Sequence, residues 1–220
     1  MTKRTILFGQ YDTAGHGWTL AGWKLSDPDQ KTKYVDKTGG DGAWDWSTVM
    51  TDGLPRYKDR SLTVTLECSE GTRADREELI SGMVNQLDGL EWEITLPDHP
   101  NHYLEGRLHV AENYSDLAHA SVTVKGTCRP WLYKKKQTVV TLPPVTTDQT
   151  YNLTNAGRLA LVPALNVSGG NVRLKYAGAS IELSAGTYEW PVLLLTPGTH
   201  TITYQGTGTL TITYREAVLR

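Results

Sequence analysis

The stretch that decides the fold is residues 61–96, which read SLTVTLECSEGTRADREELISGMVNQLDGLEWEITL. Residues 61–68 alternate polar and apolar side chains, as a strand with one buried face does. Apolar residues then recur at helical spacing, so the sequence predicts one amphipathic helix over about residues 73–88, ended by Gly89. The strand alternation resumes over residues 91–96. The stretch therefore predicts a single helix inserted into a β-sheet.

The flanking sequence extends this sheet. Strand patterns occur at residues 103–110 and 120–127, and a strand or hairpin is predicted at residues 18–25. Residues 36–46 are rich in glycine and aspartate, and we predict a long loop there. Long loops commonly carry contacts to other molecules. The first half is therefore expected to be one β domain with one helix and one projecting loop.

A domain boundary is predicted where packing patterns stop. Residues 129–148 read RPWLYKKKQTVVTLPPVTTD, and the three lysines and the two prolines interrupt the strand alternation. A chain of 220 residues is long enough for two compact domains, each with its own core. We place the boundary near Lys136, which gives domains over residues 1–136 and 137–220.

The second half is predicted to be β throughout. Two hairpins are expected, at residues 172–183 and at residues 199–214, where the second pair of strands flanks the turn 205–208. Further strands are expected at residues 159–167 and 187–195. Turns at this frequency are typical of a small antiparallel β-sandwich.

The bulk composition excludes several classes of function. The chain has 22 Lys+Arg against 24 Asp+Glu, so it carries no basic footprint for duplex DNA or for an anionic membrane. No apolar run reaches the roughly 18 residues of a membrane span, and no secretion signal is recognised. We expect folding in the cytoplasm, where Cys68 and Cys128 would be two buried thiols and not a disulfide.

Candidate catalytic and metal-binding groups have simpler explanations. Glu91 and Glu93 share one strand face, an arrangement that suits the paired carboxylates of a glycosidase, but their alternation with apolar residues is that of a half-buried strand. A polar turn accounts for the densest group of possible metal ligands, which is His99, His102, Glu105 and His109. We therefore predict no enzyme activity, no cofactor and no metal.

Tryptophans offer the strongest sign of binding. Six of them are candidates for sugar-stacking platforms or interface anchors, with core packing as the alternative: Trp18, Trp23, Trp44, Trp46, Trp131 and Trp190. A glycine-rich turn precedes Trp44 and Trp46, which favours an intersubunit contact there. The predicted contact residues are Gly39, Gly40, Asp41, Gly42, Trp44, Asp45 and Trp46.

A succession of short motifs in the first half resembles the amino-terminal domain of siphophage distal tail proteins. An acidic-aromatic segment, residues 42–46, precedes Tyr57-Lys-Asp-Arg60 and a core strand. The helix then ends in residues 85–89, and Tyr103-Leu-Glu-Gly-Arg107 follows. The residues assigned to this structural motif are Tyr57, Arg60, Gly106 and Arg107.

The second half adds motifs similar to the carboxy-terminal sandwich domain of the same family. They are Asn155-Ala-Gly157 with Pro163, then Gly186-Thr-Tyr188, and the closing Tyr214-Arg-Glu216. The resemblance covers nearly the whole chain, and its specificity lies in the order and spacing of the motifs.

This resemblance implies a non-enzymatic protein of the virion, assembled in the host cytoplasm and located at the tail tip. It implies a mainly β fold, with a split-barrel-like first domain carrying one helix and a galectin-like sandwich. It also implies a homo-oligomer, a hexameric ring whose channel lets DNA pass. The implied partners are the tail tube protein on one side and a tail hub or tail-associated lysin protein on the other. Two alternatives stay open: a carbohydrate-binding module that adheres to host glycans, and a tail tube protein.

Overall fold

The computed structural model describes residues 4–51, 53–116 and 118–220. The chain divides into two compact units, one ending at Pro130 and one beginning at Trp131, a few residues before the predicted boundary at Lys136. The fold is mainly β with one α-helix and several antiparallel sheets, which confirms the predicted fold class. Among the described residues, no helix is long and apolar enough to cross a membrane.

The first unit is built on one antiparallel sheet and helix α1 (Arg73–Leu87), with a short 3-10 helix at Val49–Thr51. Its strands are β1 (Leu7–Phe8), β2 (Tyr11–Asp12), β3 (Thr19–Leu25), β4 (Tyr34–Asp36), β5 (Ala43–Asp45), β6 (Arg60–Cys68), β7 (Glu91–Thr95), β8 (His102–Ser115) and β9 (Ala120–Cys128). The sheet order is β2-β1-β7-β8-β9-β6-β3, while β4 and β5 form a separate two-stranded sheet.

Alternation of buried and exposed residues along β6 and β9 places one sheet face in the core. Val64 and Val124 are cross-strand partners there, and both are buried. Ile80 and Met83 lie on the buried side of α1. The helix begins with a capping box in which the Thr72 side chain accepts from the Asp75 N–H and the Asp75 carboxylate accepts from the Thr72 N–H.

The two cysteines lie at opposite ends of one strand pair. Cys68 pairs with Ala120 and Cys128 pairs with Arg60 in the β6–β9 register. Both thiols are free and buried, as predicted. Burial raises the pKa of the Cys128 thiol to about 12. The neutral thiol therefore acts as a small apolar core residue.

The second unit is an antiparallel β-sandwich. Its strands are β10 (Leu132–Lys134), β11 (Thr138–Leu142), β12 (Val145–Asn155), β13 (Ala164–Ser168), β14 (Val172–Tyr176), β15 (Ala179–Leu183), β16 (Gly186–Glu189), β17 (Gly198–Gly206), β18 (Thr209–Tyr214) and β19 (Ala217–Val218). Two four-stranded sheets, β11-β18-β13-β16 and β12-β17-β14-β15, share one apolar core. β10 pairs with β19.

The hairpin predicted at residues 199–214 is wrong, although both strands exist. β17 pairs with β12 and β14, whereas β18 pairs with β11 and β13, so the two strands lie in opposite sheets. The turn between them is tied to another loop, because the N–H groups of Thr207 and Gly208 both donate to the Asn171 carbonyl. Hydrogen bonds to the distant residue Asn171 thus hold the turn, and β17 and β18 do not pair with each other.

The hairpin predicted at residues 172–183 is confirmed as β14 and β15, with Tyr176 opposite Ala179. Ala177 and Gly178 both have positive φ, 49° and 81°, as a tight two-residue hairpin turn requires. The strand predicted at residues 187–195 ends at Glu189, after which the chain continues into the core without strand pairing, apart from a bridge between Leu195 and Leu161.

Candidate functional site: an exposed arm on the first unit

The connection from β3 to β6, residues 27–59, projects from the first unit, and we call it the arm. None of its described residues is buried. Backbone hydrogen bonds close its base: the Lys31 N–H donates to Arg56 O and the Lys58 N–H to Asp29 O, both at 2.8 Å. The arm therefore has a defined backbone but no core of its own.

The outer part of the arm is a β-hairpin, which corrects the prediction of a long loop at residues 36–46. In the β4–β5 register, Tyr34 lies opposite Asp45 and Val35 opposite Trp44. Gly39 and Gly42 in the turn have φ of 76° and 77°, a region that favours glycine. Both strands are very short and neither has a buried face, so the hydrophobic alternation that predicts strands is absent.

Large apolar side chains on the arm face solvent. Trp44 is 60% exposed, Trp46 51% and Met50 92%, and Tyr34, Val35 and Val49 are exposed as well. Val35 and Trp44 are cross-strand partners and share one face of the hairpin. Two of the tryptophans proposed as binding residues are not exposed to solvent: Trp18 and Trp190 are core residues, with 1% and 8% of their surface exposed.

Local contacts position the segment that carries the two exposed tryptophans. The Lys37 ammonium lies 4.9 Å from the centroid of the Trp44 ring, within the range of a cation–π contact. The Trp46 N–H donates to Lys33 O at 2.8 Å. Asp45 accepts from the Ser47 N–H at 2.9 Å, and hydrogen bonds from Ser47 lower the pKa of this carboxyl. Asp45 thus serves the turn of the arm, while the two tryptophans remain available for contact.

No family model matches the chain, and no curated protein sequence matches it either. Among solved structures, the crystal structure of the SPP1 Dit protein (gp 19.1) matches with a TM-score of 0.68 and 16% sequence identity, and the match covers 96% of this chain and 98% of that chain. SPP1 Dit is described as a paradigm of the hub adsorption apparatus in phages that infect Gram-positive hosts. This chain has the Dit fold. The resemblance predicted from the motifs is therefore confirmed for the fold.

Within this Dit fold, the predicted structural motif lies at the base of the arm and across the sheet. Arg60 is almost fully buried, and its guanidinium donates to Ser26 O at 2.7 Å and to Pro130 O at 3.4 Å. Tyr57 forms an isolated bridge with Gln30. Arg60 and Tyr57 thereby hold the two ends of the arm where they leave the sheet.

The remaining two motif residues serve the packing of the first unit. A Cβ on Gly106 would lie 2.6 Å from the Cys128 Sγ, so only glycine fits this crossing of β8 and β9. The Arg107 guanidinium donates to the carbonyl of Gly89, just after α1. Both are structural contacts and bring no reactive groups together.

Motif residues of the second unit meet in a polar cluster that the sequence did not predict. The Asn155 side-chain amide donates to the carbonyls of Leu159 and Leu195 at 2.8 and 2.9 Å, and its oxygen accepts from the Gly157 N–H at 2.9 Å. Asn155 is 1% exposed, so these bonds satisfy a buried amide.

Glu216 completes this cluster, which we call the polar knot: Lys134, Asn155, Ala156, Gly157 and Glu216. Its carboxylate accepts from the Ala156 N–H at 2.9 Å and from the Lys134 ammonium. Burial alone would raise the pKa of Glu216, but the hydrogen bonds and the charge of Lys134 outweigh it and lower this pKa. The knot joins the end of β12 to the segment before β19.

Two of the side chains considered for catalysis or metal binding, Glu91 and Glu105, share an ion-pair partner. Arg129 forms ion pairs with Glu105 at 2.6 Å and Glu91 at 3.5 Å, and Glu93 is the cross-strand partner of Glu105. His109 Nδ1 lies 2.7 Å from a carboxylate oxygen of Asp88. Within residues 4–51, 53–116 and 118–220, no three His, Cys, Asp or Glu side chains come together in a way that could hold a metal ion.

Proposed function

We propose that this protein is a non-enzymatic component of a phage tail tip, and that six copies form a ring between the tail tube and the hub. The observation that carries the proposal is the arm, since it displays tryptophans but buries nothing within its own chain. The Dit fold over both units supports the same role, because SPP1 Dit is described as part of an adsorption hub.

The arm supports a closed oligomer for an energetic reason. A two-stranded hairpin is at most marginally stable by itself in water. A whole aromatic side chain buries about 150–250 Å², and Trp44 and Trp46 each have roughly half of their surface left to bury on a partner. Contacts between different surfaces of identical subunits generate rings when the rotation closes. We assign the intersubunit contact to residues 39–42, 44, 45 and 46, with Trp44 and Trp46 as its anchors.

The outward face of the first-unit sheet supports a channel through which DNA passes. Along β6 and β9 the side chains opposite the core are polar or charged: Ser61, Thr63, Thr65, Glu67, Ser121, Thr123, Lys125 and Thr127. Such a face is polar and hydrated, and along these two strands it presents no apolar side chain that would bind DNA bases. On this face the carboxylates of Glu67, Glu91, Glu93 and Glu105 are balanced by Arg107, Lys125 and Arg129, so it offers no basic stripe that would hold the duplex.

The ring is tested by mass photometry and negative-stain electron microscopy of the full chain. We expect wild-type protein to form six-membered rings at raised concentration, and the double substitution Trp44→Ser/Trp46→Ser to remain monomeric. Tyr151→Ser, which removes an exposed aromatic side chain from β12 in the second unit, is the matched control and should assemble normally. A strictly monomeric wild-type protein under all conditions would contradict the proposal.

The partners follow from this position in the virion. We propose that one ring face binds the tail tube protein and the other a tail hub or tail-associated lysin protein, after assembly in the host cytoplasm. Co-expression with each candidate from the same phage should yield complexes in which the ring survives purification. A tail tube role is less well supported, because the match to SPP1 Dit includes the second unit and covers 98% of that chain.

A second candidate function is glycan binding by the sandwich. Arg173 is the cross-strand partner of both Glu182 and Gln205, and its guanidinium donates to Gln205 at 2.6 Å. The three side chains line a depression of about 580 Å³ and present the donors and acceptors that bind sugar hydroxyls. Full-length protein on a glycan array tests this: specific binding that Arg173→Ala abolishes supports it, and no binding refutes it.

A further inference from the structure

We propose that the arm of one copy docks in a groove beside helix α1 of the next copy, with Trp44 against the apolar floor and Lys37 against the acidic rim. This inference rests on the proposed ring and names the surface that receives the arm. The occupant is a defined segment, residues 34–46, of a second copy of this chain.

The groove lies between α1 and the segment containing β2. It has a volume of about 350 Å³, within the range of pockets that bind small groups. Its accessible apolar surface comes from Leu79, which is half-buried, and from the stacked rings of Tyr11 and His16, whose centroids are 4.0 Å apart, while the fully buried Met83 closes the groove from below. Gly82 opens the groove on the helix side, since a Cβ there would meet no atom within 4 Å. An aromatic ring can therefore approach the helix backbone at this position.

The groove and the arm are complementary in charge. Glu78 stands on the rim of the groove and is exposed, next to Asp75, whose carboxylate also accepts from Thr72 in the capping box. On the arm, Lys37 lies over the Trp44 ring, so the exposed indole and its ammonium would enter together. An apolar floor with carboxylates at its rim matches a tryptophan accompanied by a lysine, and opposite charges across a contact also set its orientation.

The positions of the arm and the groove in the sheet explain why the partner is a second copy. The two edges of the sheet come together at one end, because the Trp18 N–H, just before β3, donates to Thr13 O, just after β2, at 2.9 Å. The arm leaves from the other end of β3, after Leu25, which lies roughly 20 Å along the strand from Thr19 at about 3.3 Å per residue. The arm and the groove are therefore different surfaces of the subunit, and a contact between them in successive copies is head-to-tail, as a cyclic ring requires.

The decisive experiment mixes two defective variants. Trp44→Ser/Trp46→Ser removes both anchors but leaves the groove, and Gly82→Trp fills the groove but leaves the arm. Each alone should be monomeric in mass photometry. Mixed in equal amounts, they should form one-to-one dimers and nothing larger, because only one working arm meets one working groove. Gly82→Ala, which leaves the groove open, is the matched control and should assemble like wild type.

A charge swap gives an independent readout that does not depend on filling the groove. Lys37→Glu and Glu78→Lys should each raise the concentration needed for assembly by about 2–5-fold, in the range of surface ion pairs. The double variant should return it to near the wild-type value. Circular dichroism of every variant confirms that the fold is retained.

The outcomes separate this inference from the proposed ring. If wild-type rings form but Gly82→Trp assembles normally, or the mixed variants give no dimers, the arm docks elsewhere and the inference is overturned while the ring stands. If the wild-type protein forms no oligomer, the proposed function itself fails. Restoration by the charge swap together with dimers from the mixture would establish the arm–groove contact.

Discussion

The arm of the first unit and the polar knot of the second unit solve opposite problems. The knot buries an amide and a carboxylate and satisfies both within the same unit. The arm exposes tryptophans and satisfies only its backbone. Buried polar groups are costly unless they are paired, while exposed apolar groups gain energy only when another surface covers them. The knot therefore closes one chain on itself, and the arm is built to join different chains.

The largest effect is expected at the knot. Asn155→Ala would leave two carbonyls and one N–H without their buried partner, which should reduce the free energy of unfolding by about 3 kcal/mol. Urea denaturation monitored by tryptophan fluorescence measures it. Asn166→Ala, on the exposed face of β13, should change this free energy by less than about 0.5 kcal/mol. Equal effects of the two substitutions would remove the distinction between the knot and an ordinary surface amide.

The base of the arm should respond next. Arg60→Ala removes a buried guanidinium that joins Ser26 O and Pro130 O, at an expected cost of about 1–3 kcal/mol. Hydrogen exchange should then rise in residues 27–31 and 56–58 more than in β6. Arg60→Lys tests whether both hydrogen bonds of the planar guanidinium are needed, since a lysine ammonium does not donate in the same two directions. Unchanged exchange at the base of the arm would show that Arg60 does not anchor it.

A pH titration should affect the knot more than the arm. The pKa of Glu216 is lowered in the folded protein, so its contribution to stability is present above the ordinary glutamate pKa of about 4.3 and is lost as the pH falls through the lower folded value. Thermal melts of the wild type should lose stability over this range. Glu216→Gln should be less stable at pH 7 and should show a flatter dependence below pH 5. If the melting temperatures of the wild type and Glu216→Gln changed with pH in the same way, Glu216 would not be ionised in the folded protein.

The smallest effect on stability is expected from the arm itself. Trp44→Ser/Trp46→Ser should change the free energy of unfolding of the monomer by less than about 0.5 kcal/mol, since neither ring is buried. The same substitutions should abolish assembly. Denaturation below the concentration of assembly measures the first quantity, and mass photometry the second. Substantial destabilisation of the monomer would mean that the tryptophans serve the chain's own fold.

Local patterns predicted a large part of this protein. The alternation in residues 61–68 and the 3.6-residue period after Thr72 were enough to place β6 and α1, because each depends on burying one face of a single element. The motifs around Arg60, Gly106 and Asn155 pointed to the Dit fold before any contact was known. The exposure of Trp44 and Trp46 followed from the glycines beside them.

The tertiary structure alone decided which elements meet. The strands at residues 199–214 look like a hairpin, yet the Asn171 carbonyl holds their turn and sends them to opposite sheets. The β4–β5 hairpin has no buried face, so no hydrophobic alternation in the sequence indicates it. The polar knot brings together Lys134, Asn155 and Glu216, which are far apart in the sequence. The same physical reason applies to the turn, the hairpin and the knot. The spacing of hydrophobic residues shows which face of a single element is buried, whereas hydrogen bonds between residues far apart in sequence form only when the chain is packed.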